Sequence, residues 1–237
     1  MSMFHNKDEL NFETGYHVTT IQQHAIKTFA WMGLGLLITA LVAFGMVTTN
    51  MTLRLYVSYP IAPMLLLFAQ LGVAVAFAAR LAKMKAATAR ILFVAYSILM
   101  GVTFSTLAFV YDLGSIGIAF GITAVYFGCL VMIGYTTKMN LLRFGPILMG
   151  GLLTLIIVEV VMTLLGMDIT TRGFTAIGLL LFTGITAYDT QKMKALYHSY
   201  EGDESMLSKL SIYSAFDLYL DFINIFLYIL RFVGNRD

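Results

Sequence analysis

Charged side chains are scarce in this sequence of 237 residues, of which only 12% are Asp, Glu, Lys or Arg. Soluble domains carry about twice that share of charge. Hydrophobic residues make up 59% of the chain, and its mean hydropathy is +0.83. The composition excludes an ordinary soluble domain and predicts a protein that crosses a lipid bilayer several times. The net charge of +2 gives no reason to expect a nucleic-acid partner.

Cysteine is nearly absent as well. The single Cys129 excludes an intramolecular disulfide and a cysteine-rich metal site. It lies in an apolar run, so we expect a small packing residue and not a nucleophile. The first 28 residues are polar and lack the short apolar core of a signal peptide, so we expect them to remain as a cytoplasmic segment.

Long apolar runs dominate the rest of the chain. A bilayer core requires about 20 apolar residues per helix, and seven segments are long enough: 29–47, 59–79, 91–111, 116–135, 144–165, 174–193 and 212–232. The runs are continuously apolar and do not alternate, which excludes a barrel. The sequence predicts an all-α membrane protein of seven helices over residues 29–233, with a short tail at 234–237. The segment 194–211 is predicted to be a mobile polar loop.

The lysines and arginines predict the orientation. With seven spans, eleven of the 15 fall on the side of the N-terminus and four on the other side. The positive-inside rule then places the N-terminus in the cytoplasm and the C-terminus outside.

Small residues predict close helix packing. Gly117 and Gly121 form a GxxxG pattern, which we interpret as internal packing in a monomer and not as a dimer contact. Pro60 and Pro63 are predicted to bend or cap the start of the second span.

Four acidic residues lie inside the predicted spans: Glu159, Asp189, Asp217 and Asp221. Ionisable residues are costly in a bilayer, so each is a candidate functional residue. Asp217, Asp221 and Asn224 share one face of the last helix. We expect that face to turn inward and the opposite, apolar face to contact lipid. For Glu159 and Asp217, a purely structural, hydrogen-bonded role is an equal alternative.

Asp189 and Asp221 are expected at similar depths in the cytoplasmic half. Asp189 lies about 6 Å, and Asp221 about 13 Å, from the cytoplasmic ends of their helices. Arg80 ends the second span at the same level. Two close carboxylates in a low dielectric tend to share a proton and titrate as a unit. An arginine could pair with one of them and be released on protonation. The sequence thus predicts a pH switch made of Asp189, Asp221 and Arg80.

The motifs around these acids resemble a known family. The segments Thr186-Ala-Tyr-Asp-Thr-Gln191 and Leu218-Tyr-Leu-Asp-Phe-Ile-Asn224 are similar to the two C-terminal signatures of the Bax inhibitor-1 family. The segments 134–138 and 230–236 resemble its bacterial inner-membrane branch. The resemblance covers essentially the whole chain from the first span onward.

The resemblance implies a seven-helix fold with a central C-terminal helix, located in the bacterial inner membrane. It implies a pH-sensitive calcium leak gated by Asp189 and Asp221, which would also bind Ca²⁺ weakly, with Tyr188 as a neighbour. Arg80 matches the family's latch arginine, and Arg90 is the alternative. No cofactor is implied beyond Ca²⁺ as the permeant ion. The bacterial branch also suggests an alternative role as a non-catalytic modulator of a membrane AAA protease.

Two other functions are weaker interpretations. An intramembrane aspartyl protease needs two carboxylates that share a proton, but its Gly-x-Gly-Asp motif is absent from the sequence, so we expect no enzyme. A proton-coupled transporter also uses carboxylate relays, but no duplicated motif with broken helices supports one.

Overall fold

The computed structural model describes residues 19–80, 83–167 and 171–234, and their regular structure is helical throughout. These residues contain eight α-helices: α1 (Ile21–Thr48), α2 (Met51–Ser58), α3 (Ala62–Arg80), α4 (Ala86–Phe104), α5 (Leu113–Thr136), α6 (Gly145–Leu164), α7 (Arg172–Ser199) and α8 (Glu204–Val233). Short 3₁₀ helices at Ser105–Phe109 and Leu141–Phe144 extend α4 and precede α6. Most of the predicted N-terminal segment and most of the tail lie outside the described residues.

Four of these helices are long and apolar enough to cross a membrane: α1, α4 with its 3₁₀ extension, α5, and α6 with its preceding 3₁₀ turn. A fifth candidate is the pair α2 and α3, which is bent by 102°. The bend lies at Tyr59 and Pro60, where the proline has no backbone N–H to continue a helix. Large apolar side chains such as Val125 and Ile147 are exposed on α5 and α6, as expected of surfaces in contact with lipid.

The last helix, α8, is buried along most of its length. It packs against α1, α4, α5 and α7. Its apolar side chains lie in an aromatic core in which Phe216 stacks on Phe77 at 4.6 Å and Tyr219 meets Phe93 edge-on at 5.5 Å. The prediction that the apolar face of this helix contacts lipid was wrong, because protein side chains cover that face.

The connection between α7 and α8 is short and held in place, in contrast to the predicted mobile loop at 194–211. Only residues 200–203 separate the two helices, and Asp203 caps α8 by accepting a hydrogen bond from the N–H of Met206 at 2.9 Å. Thr19 donates its hydroxyl to the carboxylate of Glu204, and Tyr197 donates to the carbonyl oxygen of Thr19 at 2.9 Å. These bonds attach the start of α1 to the α7–α8 turn.

Three smaller expectations also need correction. Gly117 and Gly121 have no atom within 4 Å of an added Cβ, so this GxxxG pattern lies on the outer surface of α5 and not in an internal contact. Cys129 is exposed on the same helix. Helix α1 begins at Ile21 rather than at Phe29, because Thr20 and Gln23 form a reciprocal capping box there.

Candidate functional site

A cavity of about 480 Å³ lies between α3, α4, α6, α7 and α8. Most of its lining residues are apolar, chiefly Leu, Ile, Met and Phe. One polar stripe of α8 also lines it, formed by Tyr213, Asp217, Asp221, Asn224 and Arg231. At about 1.5 Å per residue, Asp217 and Arg231 are about 21 Å apart along the helix. The cavity therefore extends along most of a hydrocarbon core of about 30 Å.

One end of the cavity holds an acid cluster, which we define as Asp189, Lys192, Asp217 and Asp221. Asp189 and Asp221 are 6% and 2% exposed. Asp217 lines the same end of the cavity, and Lys192 forms ion pairs with both Asp217 and Asp189. Asp189 Oδ1 and Asp221 Oδ2 accept no hydrogen bond from the described residues. Both of the acids that the sequence predicted to be close line this cavity.

Lys192 supplies the positive charge of this cluster. Its Nζ lies 2.8 Å from Asp217 Oδ2 and 3.5 Å from Asp189 Oδ1. It also donates a hydrogen bond to the hydroxyl of Tyr213 at 3.2 Å and lies 4.8 Å from the centroid of that ring. The lysine follows Asp189 by three positions on α7, so the helix places both side chains on one face.

A second set of charges lies farther along α8, toward its C-terminal end. Arg231 Nη1 is 3.8 Å from Glu159 Oε1 on α6, and Tyr228 donates its hydroxyl to the same oxygen at 3.3 Å. The ring of Tyr228 packs on Gly178, where a Cβ would lie 2.3 Å from Tyr228 Cζ, so this approach requires glycine. We call Glu159 and Arg231 the paired site, because one negative charge meets one positive charge.

Neither predicted counter-charge contacts the acids. Arg80 is exposed at the end of α3, lines a separate shallow depression with Phe68 and Val75, and makes no ion pair with a described residue. Arg90 donates to Ser208 Oγ at 3.4 Å and lies over the ring of Trp31. In this structure Lys192, and not Arg80, supplies the positive charge beside the acids.

Of the predicted supporting residues Asn224 and Tyr188, only the first lines the cavity. Asn224 lines the cavity and donates to the carbonyl oxygen of Leu220 in its own helix at 2.7 Å. Tyr188 does not line it; its ring packs against Gly145 at the start of α6.

The charges of the acid cluster do not balance. Three carboxylates face one ammonium, so full ionisation would leave a formal charge of −2 in a low-dielectric cavity. Such a site must take up protons or cations. Within the described residues, no group of three or more His, Cys, Asp or Glu side chains is arranged to hold a metal ion. The ammonium of Lys192 lies beside the carboxylates of Asp189 and Asp217.

The sequence did not identify two charged residues of the cavity as site residues. Lys192 and Arg231 were counted only as charges that set the orientation. The spacing of three residues between Asp189 and Lys192 could have identified the first, since an i, i+3 pair on a helix is close in space. No comparable spacing links Arg231 to Glu159, because the two lie on different helices.

Known proteins are similar to this chain over nearly its whole length. The sequence model of the family described as "Inhibitor of apoptosis-promoting Bax1" matches residues 21–237. The inner membrane protein YbhL of Escherichia coli strain K12 is 37% identical over 217 residues, which cover 91% of this chain and 93% of that protein. An uncharacterised protein of Rickettsia prowazekii is 36% identical, with 91% of each chain covered. The protein YrjE of Lactococcus lactis is 32% identical, with 89% and 92% covered.

Proposed function

Because the chain belongs to the Bax inhibitor-1 family of membrane proteins, we propose that it is a calcium leak channel of the bacterial inner membrane. Its opening would depend on the protonation of Asp189 and Asp221. The observation that carries this proposal is the cavity with its unbalanced acid cluster, in which three carboxylates meet one ammonium. A path for cations needs negative charge along it, and the acid cluster supplies that charge in this cavity.

The proposed topology has seven spans, with the bent pair α2 and α3 counted as one. Helices α7 and α8 have 28 and 30 residues, so each is about 40 Å long or more and able to cross the bilayer. The charged residues within these helices that line the cavity are Asp189, Lys192, Asp217, Asp221 and Arg231. Charges that face a cavity and not lipid are compatible with a membrane span. The burial of α8 supports its role as the central helix. The distribution of lysine and arginine supports a cytoplasmic N-terminus and an outside C-terminus.

The proposed gate is a shared proton. Two buried carboxylates with interacting charges ionise together only at a high cost, so a proton taken up by the cluster lowers that cost. Proton uptake changes how firmly α7 and α8 are held through Lys192. The site would therefore respond to pH as one titrating unit. This function requires conduction and no bond-making chemistry, so we propose that the protein is not an enzyme.

Calcium is the proposed cargo because its preferred ligands are carboxylate and carbonyl oxygens. A tight calcium site uses six to eight oxygens, whereas the three carboxylates of the acid cluster are not arranged as a metal site within the described residues. Weak binding of this kind suits passage through a membrane, since an ion that binds tightly leaves slowly.

The proposal is tested by calcium influx into liposomes that contain the purified protein and a trapped calcium indicator. We expect influx above that of protein-free liposomes, and we expect the double variant Asp189→Asn/Asp221→Asn to abolish its dependence on pH. Asp112→Asn is the matched control, because Asp112 caps α5 outside the cavity and asparagine caps a helix equally well. No influx in the wild type, or an unchanged pH response in the double variant, would contradict the proposal.

A further inference from the structure

Lys192 is the most highly connected charge in the cavity. Its ammonium contacts Asp217 and Asp189, and it donates to the hydroxyl of Tyr213. The Lys192 side chain is 24% exposed, so it lies at the edge of the cluster and not at its buried centre. The more deeply buried Asp221 feels its charge through space. An ammonium has three N–H donors, and three oxygens lie around this one.

The contacts of Lys192 reach a third helix. Tyr213, whose ring lies under the ammonium, stacks on Phe77 of α3 with ring centroids 6.3 Å apart. Phe77 is fully buried and also stacks on Phe216. Displacement of the ammonium therefore affects α7 and α8 directly and α3 through the ring of Tyr213.

A lysine is suited to be a reversible occupant of a carboxylate site. Its ammonium is a compact point charge on a flexible stem, unlike the planar, rigid guanidinium of arginine. A charge on the same chain competes with free ions at a high effective concentration. A divalent cation that reaches the three carboxylates must displace this competitor.

We propose that Lys192 is a tethered cation that occupies the acid cluster and blocks one end of the cavity, so that a divalent ion binds there only by displacing it. The proposal deepens the leak function and rests on it for its physiological meaning. The binding competition itself can be measured without any flux.

The test uses Tb³⁺ as a probe ion with the full-length protein in detergent. Tb³⁺ bound in place of the ammonium lies close to the ring of Tyr213, so excitation of tyrosine sensitises its luminescence. We expect Lys192→Met to bind Tb³⁺ about tenfold more tightly than the wild type, a change equivalent to about 1.4 kcal/mol. Lys192→Arg, which keeps the charge, should bind no more tightly than the wild type. Calcium should compete with the probe.

Two controls define the site. Lys194→Met removes a lysine of the same helix that contacts the carbonyl oxygen and ring of Tyr135 and no described acid, so it should leave the affinity unchanged. Tyr213→Phe should remove the sensitised signal. If Lys192→Met binds Tb³⁺ no more tightly than the wild type, the competition does not exist and the inference is wrong. Equal tightening by Lys194→Met would also overturn it.

The two proposals fail separately. If Lys192→Met tightens Tb³⁺ binding while wild-type liposomes admit no calcium, the tethered cation stands and the leak function is wrong. If the wild type admits calcium in an aspartate-dependent manner while Lys192→Met leaves Tb³⁺ affinity unchanged, the leak stands and the tethered cation is wrong.

Discussion

The same cavity contains two charged sites with different balances. At the paired site, Glu159 meets Arg231 at 3.8 Å and one charge neutralises the other. In the acid cluster, three carboxylates have one ammonium, that of Lys192, which forms ion pairs with Asp189 and Asp217. The residues that α8 contributes to the two sites, Asp217 and Arg231, are about 21 Å apart along that helix.

The comparison shows why only one of these sites is suited to sense pH. In a one-to-one ion pair, loss of either charge leaves the other without its partner. An excess of carboxylates repels itself and lowers its energy by binding a proton or a cation. We therefore propose a structural role for the paired site and a gating role for the acid cluster.

Removal of one of the two charges of the paired site is expected to have the largest effect on stability. Arg231→Met leaves the carboxylate of Glu159 beside apolar walls with only the Tyr228 hydroxyl as a partner. We expect this variant to lose about 1–3 kcal/mol of stability, the cost of an unpaired buried charge. The midpoint of thermal unfolding in detergent measures the loss.

The double variant Glu159→Gln/Arg231→Met is the control for that interpretation. It removes both charges, so it should recover most of the stability that the single variant loses. Additive losses from the two substitutions would mean that the charges do not interact, and the contrast between the two sites would disappear.

The smallest expected effect belongs to Arg80. Its side chain is exposed and makes no ion pair with a described residue, so Arg80→Met should change stability by less than about 0.5 kcal/mol. It should also alter calcium influx less than Lys192→Met does. If Arg80→Met changes the pH profile more than Lys192→Met does, the counter-charge of the acids is Arg80, as the sequence predicted, and not Lys192.

The sequence predicted the helices of this fold well because long apolar runs are a strong local signal. Each of the seven predicted segments overlaps an α-helix, although only four helices, or five with the bent pair, are long and apolar enough to cross a membrane within the described residues. The ends of α7 and α8 were less predictable, because the polar residues between them extend both helices and bond to Thr19. That contact joins residues 185 positions apart, and no local pattern reveals it.

The candidate site was predictable in part. The cost of placing a carboxylate in a bilayer was enough to select Asp189 and Asp221. Depth along each helix was not enough to select their counter-charge, because the direction of a long side chain depends on packing. Lys192 points into the cavity and Arg80 points to the surface, although both were expected on the same side of the membrane.

The exposed glycines of α5 show the same limit. A GxxxG pattern indicates that a helix surface is smooth, but it does not indicate what packs there. Gly117 and Gly121 face outward, while Ala119 and Thr123 on the opposite face of α5 are fully buried.

The most direct test of the account is the pH profile of calcium influx for the wild type, Asp221→Asn and the control Asp112→Asn in the same liposomes. The account predicts that Asp221→Asn shifts the midpoint of the profile to lower pH. Removal of one negative charge reduces the repulsion that helps the remaining carboxylates to hold a proton. Asp112→Asn should reproduce the wild-type profile. Superimposable profiles for Asp221→Asn and the wild type would contradict the claim that the acid cluster is the pH sensor.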